Sequence, residues 1–267
     1  MRAKASRPVT VVIPARYGSS RFPGKPLVEL NGKPMIQHVY ERAVACRAVS
    51  DVLVATDDER IKQAVERFGG RVLMVTDDYR TGTDRVAAVA RMFAGEYFLD
   101  LQGDEIPLNP ELLTDLIEPF LDSGVGMGTL KRVIDPTENL LNSAVVKVVT
   151  DAGGNALYFS RAPIPFVRDD PGIQVIGGLH YMHLGLYIYT KDTLLRFAAL
   201  PTSRLEEAEK LEQLRALDYG IPIRVWETKH ASLRVDRPEE VPDVAERLQQ
   251  YGAVRRELQN SGVFFKS

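Results

Sequence analysis

A single cysteine, Cys46, excludes an internal disulfide framework and a cysteine-based zinc site, and it suits a reducing cytosol. No apolar run approaches the ~20 residues that cross a bilayer, so no membrane span is expected. Charge of one sign is missing as well. Lys and Arg number 34 against 36 Asp and Glu, and a net charge of -2 gives no bulk attraction to nucleic acid. Repeats and low-complexity linkers are absent. The basic opening residues Arg2, Lys4 and Arg7 precede only a short apolar run with no credible cleavage site. They read as a frayed start rather than a signal peptide. What remains is ordinary globular material. The 267 residues are 45% hydrophobic, enough for a substantial core in one large domain or two small ones.

The first half alternates two periodicities. Strand patterns fall at 9–14, 52–56, 71–76 and 97–102, and helical patterns at 34–46, 56–69, 83–93 and 110–122. Pro34 opens the first helix, and Thr56-Asp57-Asp58-Glu59 reads as a capping box for the second. Thr83 reads as the cap of the third. Such alternation predicts an α/β fold, a Rossmann-like, mostly parallel sheet with helices on both faces. Ligands of such sheets sit at the carboxyl ends of the strands, which selects the loops at 15–27, 57 onward and 102–107.

After residue 125 the pattern changes. Strands are expected at 125–132, 143–150, 156–161 and 184–190, with an irregular Pro- and Gly-rich stretch between the last two. A helix is expected over 204–219, a strand over 221–227 and a final helix over 238–249. This predicts a nucleotide-binding half at 1–125, a smaller α+β excursion at 126–200, and a return to the main sheet at 201–267, in one compact unit.

The densest chemical signal is Ile13-Pro14-Ala15-Arg16-Tyr17-Gly18-Ser19-Ser20-Arg21-Phe22-Pro23-Gly24-Lys25-Pro26-Leu27. Three cations stand among small residues directly after the first strand. Small residues let backbone amides approach phosphate oxygens, and Arg and Lys supply charge-assisted hydrogen bonds. It is not a Walker A loop, because five residues separate Gly18 from Gly24 and Pro26 follows the lysine. Nor does it carry the three close glycines of a dinucleotide fingerprint. In the second half, Glu209, Glu212 and Gln213 stand at i, i+3 and i+4, which on a continuous helix is one face. His183 and Tyr187 flank Leu184-Gly185-Leu186 on a strand. His38, His180 and His230 lack metal-like spacing. Cys46, Trp226, Phe264 and Phe265 read as packing or tail.

Taken with Gly32-Lys33-Pro34-Met35-Ile36, Val54-Ala55-Thr56-Asp57, Gly82-Thr83-Asp84-Arg85, Gln102-Gly103-Asp104-Glu105, Tyr158-Phe159-Ser160-Arg161, His183-Leu184-Gly185-Leu186-Tyr187, Glu209-Lys210-Leu211-Glu212-Gln213-Leu214-Arg215 and Val235-Asp236, the chain resembles the nucleotide-sugar cytidylyltransferases. The resemblance lies closest to their 3-deoxy-manno-octulosonate (Kdo) branch and covers nearly the whole chain. It implies that CTP and a 3-deoxy-ulosonic acid are substrates, that pyrophosphate leaves, and that the product feeds lipopolysaccharide assembly. It implies Mg²⁺ held by Asp104 and Asp236, with Arg16, Lys25 and Asp104 as the catalytic set. It further implies that the Gly82-Thr83-Asp84-Arg85 stretch lies near the cytosine. The sugar side would be read by Arg21, Arg161, His183, Tyr187, Glu212 and Gln213, with Gln102 a further substrate contact. A homodimer formed through the second half and a cytoplasmic location are implied as well.

Read by itself, Asp236 before Arg237-Pro238-Glu239 is also an ordinary helix-cap aspartate. Arg234 and Arg237 depart from the family's usual Gly-Val-Asp-Thr-Pro-Glu-Asp and leave the sugar open. An 8-amino-3,8-dideoxy-Kdo or another ulosonic acid fits the same residues. So would a sugar 1-phosphate nucleotidyltransferase of the same fold.

Overall fold

The computed structural model describes residues 7–18, 22–77, 79–135, 140–168 and 174–260. Arg21, Phe264 and Phe265 lie outside them. The first strand, Val9–Ala15, sits inside the main sheet, with Asp51–Thr56 and Tyr97–Asp100 parallel on its two sides. Val72–Met74 extends the parallel part beyond Asp51–Thr56. The long strand Tyr181–Thr190 then joins antiparallel to Tyr97–Asp100, and it carries Met127–Val133 and Lys147–Thr150. Ala156–Ser160 closes that edge, and Arg224–Glu227 returns parallel to Met127–Val133. These strands make one nine-stranded mixed sheet among the described residues.

The period-2 alternation of the first strand divides the core into two layers. Val9, Val11 and Ile13 pack with Met35, Ile36, Leu113 and Leu116 on one face. Val12 packs with Val86, Val89, Phe98 and Leu214 on the other. The strand is buried along its whole length, so it is fixed in register and its carboxyl end is held where the cationic loop leaves it.

Three local expectations are corrected. The helix expected over 204–219 is two helices, Arg204–Glu209 and Gln213–Asp218. Lys210 adopts a left-handed conformation (φ 53°) and ends the first, so Glu209, Glu212 and Gln213 do not share a face. The cap of Gly82–Met92 is Thr81, whose hydroxyl accepts from the Asp84 amide, not Thr83. The second helix is capped by Asp58, two residues later than the sequence box, because Thr56 still belongs to the strand.

One pairing escapes sequence reading. Glu105–Pro107 and Ser232–Arg234 form a small antiparallel ribbon, with Arg234 opposite Glu105. Two segments almost 130 residues apart in sequence are thereby joined at the edge of the ligand end of the main sheet.

Candidate active site

That ribbon brings the two distant aspartates together. Asp104 immediately precedes one strand and Asp236 follows the other by two residues, so both carboxylates emerge at the same end. Lys25 donates to Asp104 Oδ2, and its Nζ lies 3.8 Å from Asp236 Oδ1. Arg234 Nε stands 3.2 Å from Asp236 Oδ1, and Arg234 Nη2 3.9 Å from Asp104 Oδ2. Two acids and two cations therefore form one alternating cluster. Burial pushes the Asp104 carboxyl up, but the Arg234 guanidinium and the Lys25 ammonium outweigh it and hold the group below its ordinary value. Asp236 is not the cap that its sequence context suggested. Arg237 occupies the N-cap position of Pro238–Glu240, and the Asp236 amide is bound by Glu240 at 2.6 Å. Its carboxylate is left for the cluster.

The cluster opens onto a cavity of about 250 Å³ at the carboxyl ends of the first and fourth strands. Arg16, Lys25, Arg85, Gln102, Asp104 and Asp236 contribute to its wall. Five of these, Arg16, Lys25, Gln102, Asp104 and Asp236, are site residues expected from sequence, and the fold brings them to one cavity. Lys25 is carried by a short 3-10 turn entered through Gly24 at φ 74°. A Cβ there would approach the Tyr17 ring to 3.1 Å, so glycine is required both for the turn and for the contact. Gly82 has a related reason. A Cβ on it would come within 3.0 Å of the Gln102 amide oxygen and 3.2 Å of Pro14.

Arg85, expected near the cytosine only as part of its stretch, and Arg234, with no role expected from sequence, are functional candidates. Arg85 is almost wholly buried. Its Nη2 donates to Asp57 at 2.7 Å, while its Nη1 is buried with no hydrogen-bond partner. A donor in that state at a cavity wall favours an acceptor supplied by a ligand. The signal available in sequence was an arginine one helical turn after the Thr81 cap, but an arginine on a helix is usually solvated. Arg234 stands at i and Asp236 at i+2 of an extended segment. That alternation places them on one side, and it becomes legible only once the ribbon is known.

The expected sugar-side residues divide into two groups. His183, Tyr187 and Glu212 lie together behind the cavity's lining, which Glu212 reaches through Thr81. Tyr187 stands opposite Asp100 in the sheet, its ring 5.3 Å from His183. The Tyr187 hydroxyl is buried without a partner, and burial followed by the Glu212 and Asp100 carboxyls pushes its pKa well up. It stays a neutral donor. His183 is buried, shares a 3.0 Å hydrogen bond with Thr129, and is driven down to about 3 by burial and then by Arg234. It is a neutral imidazole at physiological pH. Glu212 accepts from Thr81 and Thr83 at 3.0 Å each and from Arg215 at 2.6 Å.

Arg161 and Gln213 form the other group and do not line this cavity. The Arg161 guanidinium donates to the backbone carbonyls of Glu209, Ser143 and Lys210, and its amide donates to the Glu209 carboxylate. In this conformation it braces the break between the two short helices. Gln213 is buried at the start of the second of them.

Among the described residues no three His, Cys, Asp or Glu side chains converge as a self-sufficient metal cage. Asp104 and Asp236 form a pair, compensated by Lys25 and Arg234. Two carboxylates beside a cationic phosphate loop suit a hard divalent ion that completes its shell with substrate oxygens.

Comparison with known proteins identifies the family. A cytidylyltransferase family model matches residues 10–225. The 3-deoxy-manno-octulosonate cytidylyltransferase of Geobacter sulfurreducens is 51% identical over 247 residues, 90% of this chain and 99% of its own. That of Solibacter usitatus is 45% identical over 240 residues, 90% of this chain and 94% of its own. A solved CMP:2-keto-3-deoxy-manno-octonic acid synthetase complexed with CTP superposes with a TM-score of 0.84 at 41% identity, covering 91% of this chain and 99% of the other. A 4-diphosphocytidyl-2C-methyl-D-erythritol synthase, at TM-score 0.61 and 17% identity, shares the fold. No helix among the described residues is long and apolar enough to cross a membrane. With the cation–carboxylate cluster at the ligand end of its sheet and near-complete coverage by these relatives, the chain belongs to the cytidylyltransferase family, in the branch of the 3-deoxy-manno-octulosonate cytidylyltransferases.

Proposed function

We propose that this chain activates Kdo with CTP, giving CMP-Kdo and pyrophosphate, and so supplies an activated sugar for lipopolysaccharide assembly. The observation that carries the site assignment is the Glu105–Pro107 and Ser232–Arg234 ribbon, which gathers Asp104, Asp236, Lys25 and Arg234 at the mouth of one cavity.

In this reading the triphosphate lies against Arg16 and Lys25. The anomeric 2-hydroxyl of Kdo gives up its proton to solvent and attacks the α-phosphorus in line. The new O–P bond forms as the bond to the bridging oxygen breaks, and negative charge grows on the departing pyrophosphate. Lys25 and Arg16 neutralise that charge from fixed positions. Asp104 and Asp236 would hold Mg²⁺, which when bound neutralises phosphate charge and lowers the pKa of a coordinated hydroxyl. Arg85 Nη1 offers its unused donor to an acceptor on the base. On the sugar side, the Tyr187 hydroxyl, Glu212 and Gln102 face the hydroxyl-rich acid. His183 contributes as a neutral ring, and Arg161 and Gln213 shape the wall from behind. Arg21, which stands in the same loop as Arg16 and Lys25, is assigned to the sugar carboxylate.

The excursion leaves Leu157, Phe166, Ile176 and Leu179 exposed. Those side chains suit a homodimer formed through that part of the chain.

The test is pyrophosphate release with CTP and Mg²⁺ across a panel of ulosonic acids, Kdo and 8-amino-3,8-dideoxy-Kdo included. Release with Kdo that is lost in Asp104→Asn is the expected result. Release with sugar 1-phosphates and not with any ulosonic acid overturns the proposal.

A further inference from the structure

A hydroxyl has one proton to give, and Thr83 lies between two acids. Its Oγ1 is 3.1 Å from Asp100 Oδ2 and 3.0 Å from Glu212 Oε2. With both carboxylates ionised, one of these contacts would oppose lone pairs to lone pairs. One acid must therefore carry a proton aimed at the threonine. The surroundings decide which. Burial pushes the Glu212 carboxyl up as well, but Arg215 and Thr81 both donate to its Oε1, and the guanidinium opposes that push where Asp100 has no such partner. Asp100 is fully buried and has no ion pair among the described residues. Tyr187 and Tyr189 face it from the neighbouring antiparallel strand, Glu212 from the helix break, Asp104 from the end of its own strand, and apolar Val12 from the first strand.

The remaining oxygen of Asp100 is bound by Gln102, which does line the cavity. Gln102 Nε2 donates to Asp100 Oδ1 at 2.7 Å, and the Gln102 amide packs against Gly82. The same acid thus sets two of the side chains assigned to the sugar.

We propose that Asp100 is a positioning residue held as the neutral acid, donating through Thr83 to Glu212 and accepting from Gln102, so that one buried proton fixes two of the groups that face the ulosonic acid. Burial, followed by the Glu212 charge, pushes this carboxyl up to about 8, which agrees with the geometry. Above that pH the proton is lost, Thr83 is contested, and the acid-binding side loses its alignment while the CTP side keeps its own.

Asn reproduces the neutral acid: its amide donates to Thr83 and its carbonyl accepts from Gln102. Leu does neither. KM and kcat for Kdo and for CTP are measured from pH 6 to 9.5 in the wild type, Asp100→Asn and Asp100→Leu. The ratio of wild-type to Asp100→Asn kcat/KM for Kdo is expected to be flat to about pH 8 and to fall about tenfold per unit above it, carried by KM for Kdo alone. Asp100→Leu should raise KM for Kdo about tenfold at every pH. A ratio that does not change with pH, or an Asp100→Asn protein as impaired as Asp100→Leu, overturns the proposal.

This inference rests on the proposed Kdo reaction, so the proton is also read without turnover. Carboxyl-¹³C-aspartate spectra should show one resonance titrating near pH 8 that is absent in Asp100→Asn. Its absence from the wild type refutes the proposal. Its presence in a protein that releases no pyrophosphate with Kdo refutes the reaction instead.

Discussion

Replacing Asp100 by Asn should change how stability responds to pH, with a size that follows from the site. In the unfolded chain this carboxyl titrates near its ordinary value of 3.8, and in the fold it titrates near 8. Between those limits the folded protein binds one proton more than the unfolded chain. The slope of unfolding free energy with pH is therefore negative, about 1.4 kcal/mol per unit from this group. Its contribution is full below pH ~4, is lost progressively up to pH ~8, and is constant above. Asn has no proton to lose. The stability of Asp100→Asn relative to wild type should rise by about 3 kcal/mol between pH 5 and 7.5 and level off above pH 8. Urea unfolding at fixed temperature across that range measures the difference, and the other titrating groups cancel. A gap constant from pH 5 to 8 would refute the reasoning, because it would mean that Asp100 is ionised in the fold.

Other outcomes follow from the same geometry. Lys25→Ala removes a fixed cation from the leaving-group side and should lower kcat by about 10²–10³ with far-ultraviolet circular dichroism unchanged. Arg161→Ala loses three donations to backbone carbonyls and should destabilise the protein by about 2–3 kcal/mol, read as a drop in Tm. Light scattering should return twice the chain mass, and Phe166→Glu with Leu157→Glu should shift it toward the monomer.

Much of the scaffold was legible in the sequence, because the dry first strand and its neighbours carry strong periodicity. Val9, Val11 and Ile13 alternate with Val12, and the helices Met35–Val44, Glu59–Arg67 and Glu111–Ser123 each bury one face. The cationic loop was legible for a chemical reason: Arg16 and Lys25 among glycines have few structural uses. What escaped was set by non-local pairing. Nothing within Ser232-Leu233-Arg234 announces a strand that will pair with Glu105–Pro107, so the place of Arg234 between Asp104 and Asp236 was invisible. The helix break at Lys210 was hidden as well, because a left-handed lysine has no sequence signature. The break alone separates Glu209, which binds Ser160, from Glu212, which binds Thr81 and Thr83. Thr83 was read as a cap because it stands near the helix start. The cap is Thr81, which frees the Thr83 hydroxyl to lie between two acids. Asp100 drew no attention at all, being one polar residue in a buried strand whose partners come from three other segments.

The most direct test of the central claim is the rate of pyrophosphate formation by the purified protein with CTP and Mg²⁺, with and without Kdo, in the wild type and in Asp104→Asn and Asp236→Asn. Release that requires Kdo and falls by at least about 10² in each variant is the predicted result. Undiminished release from either variant would contradict a shared role for the two acids.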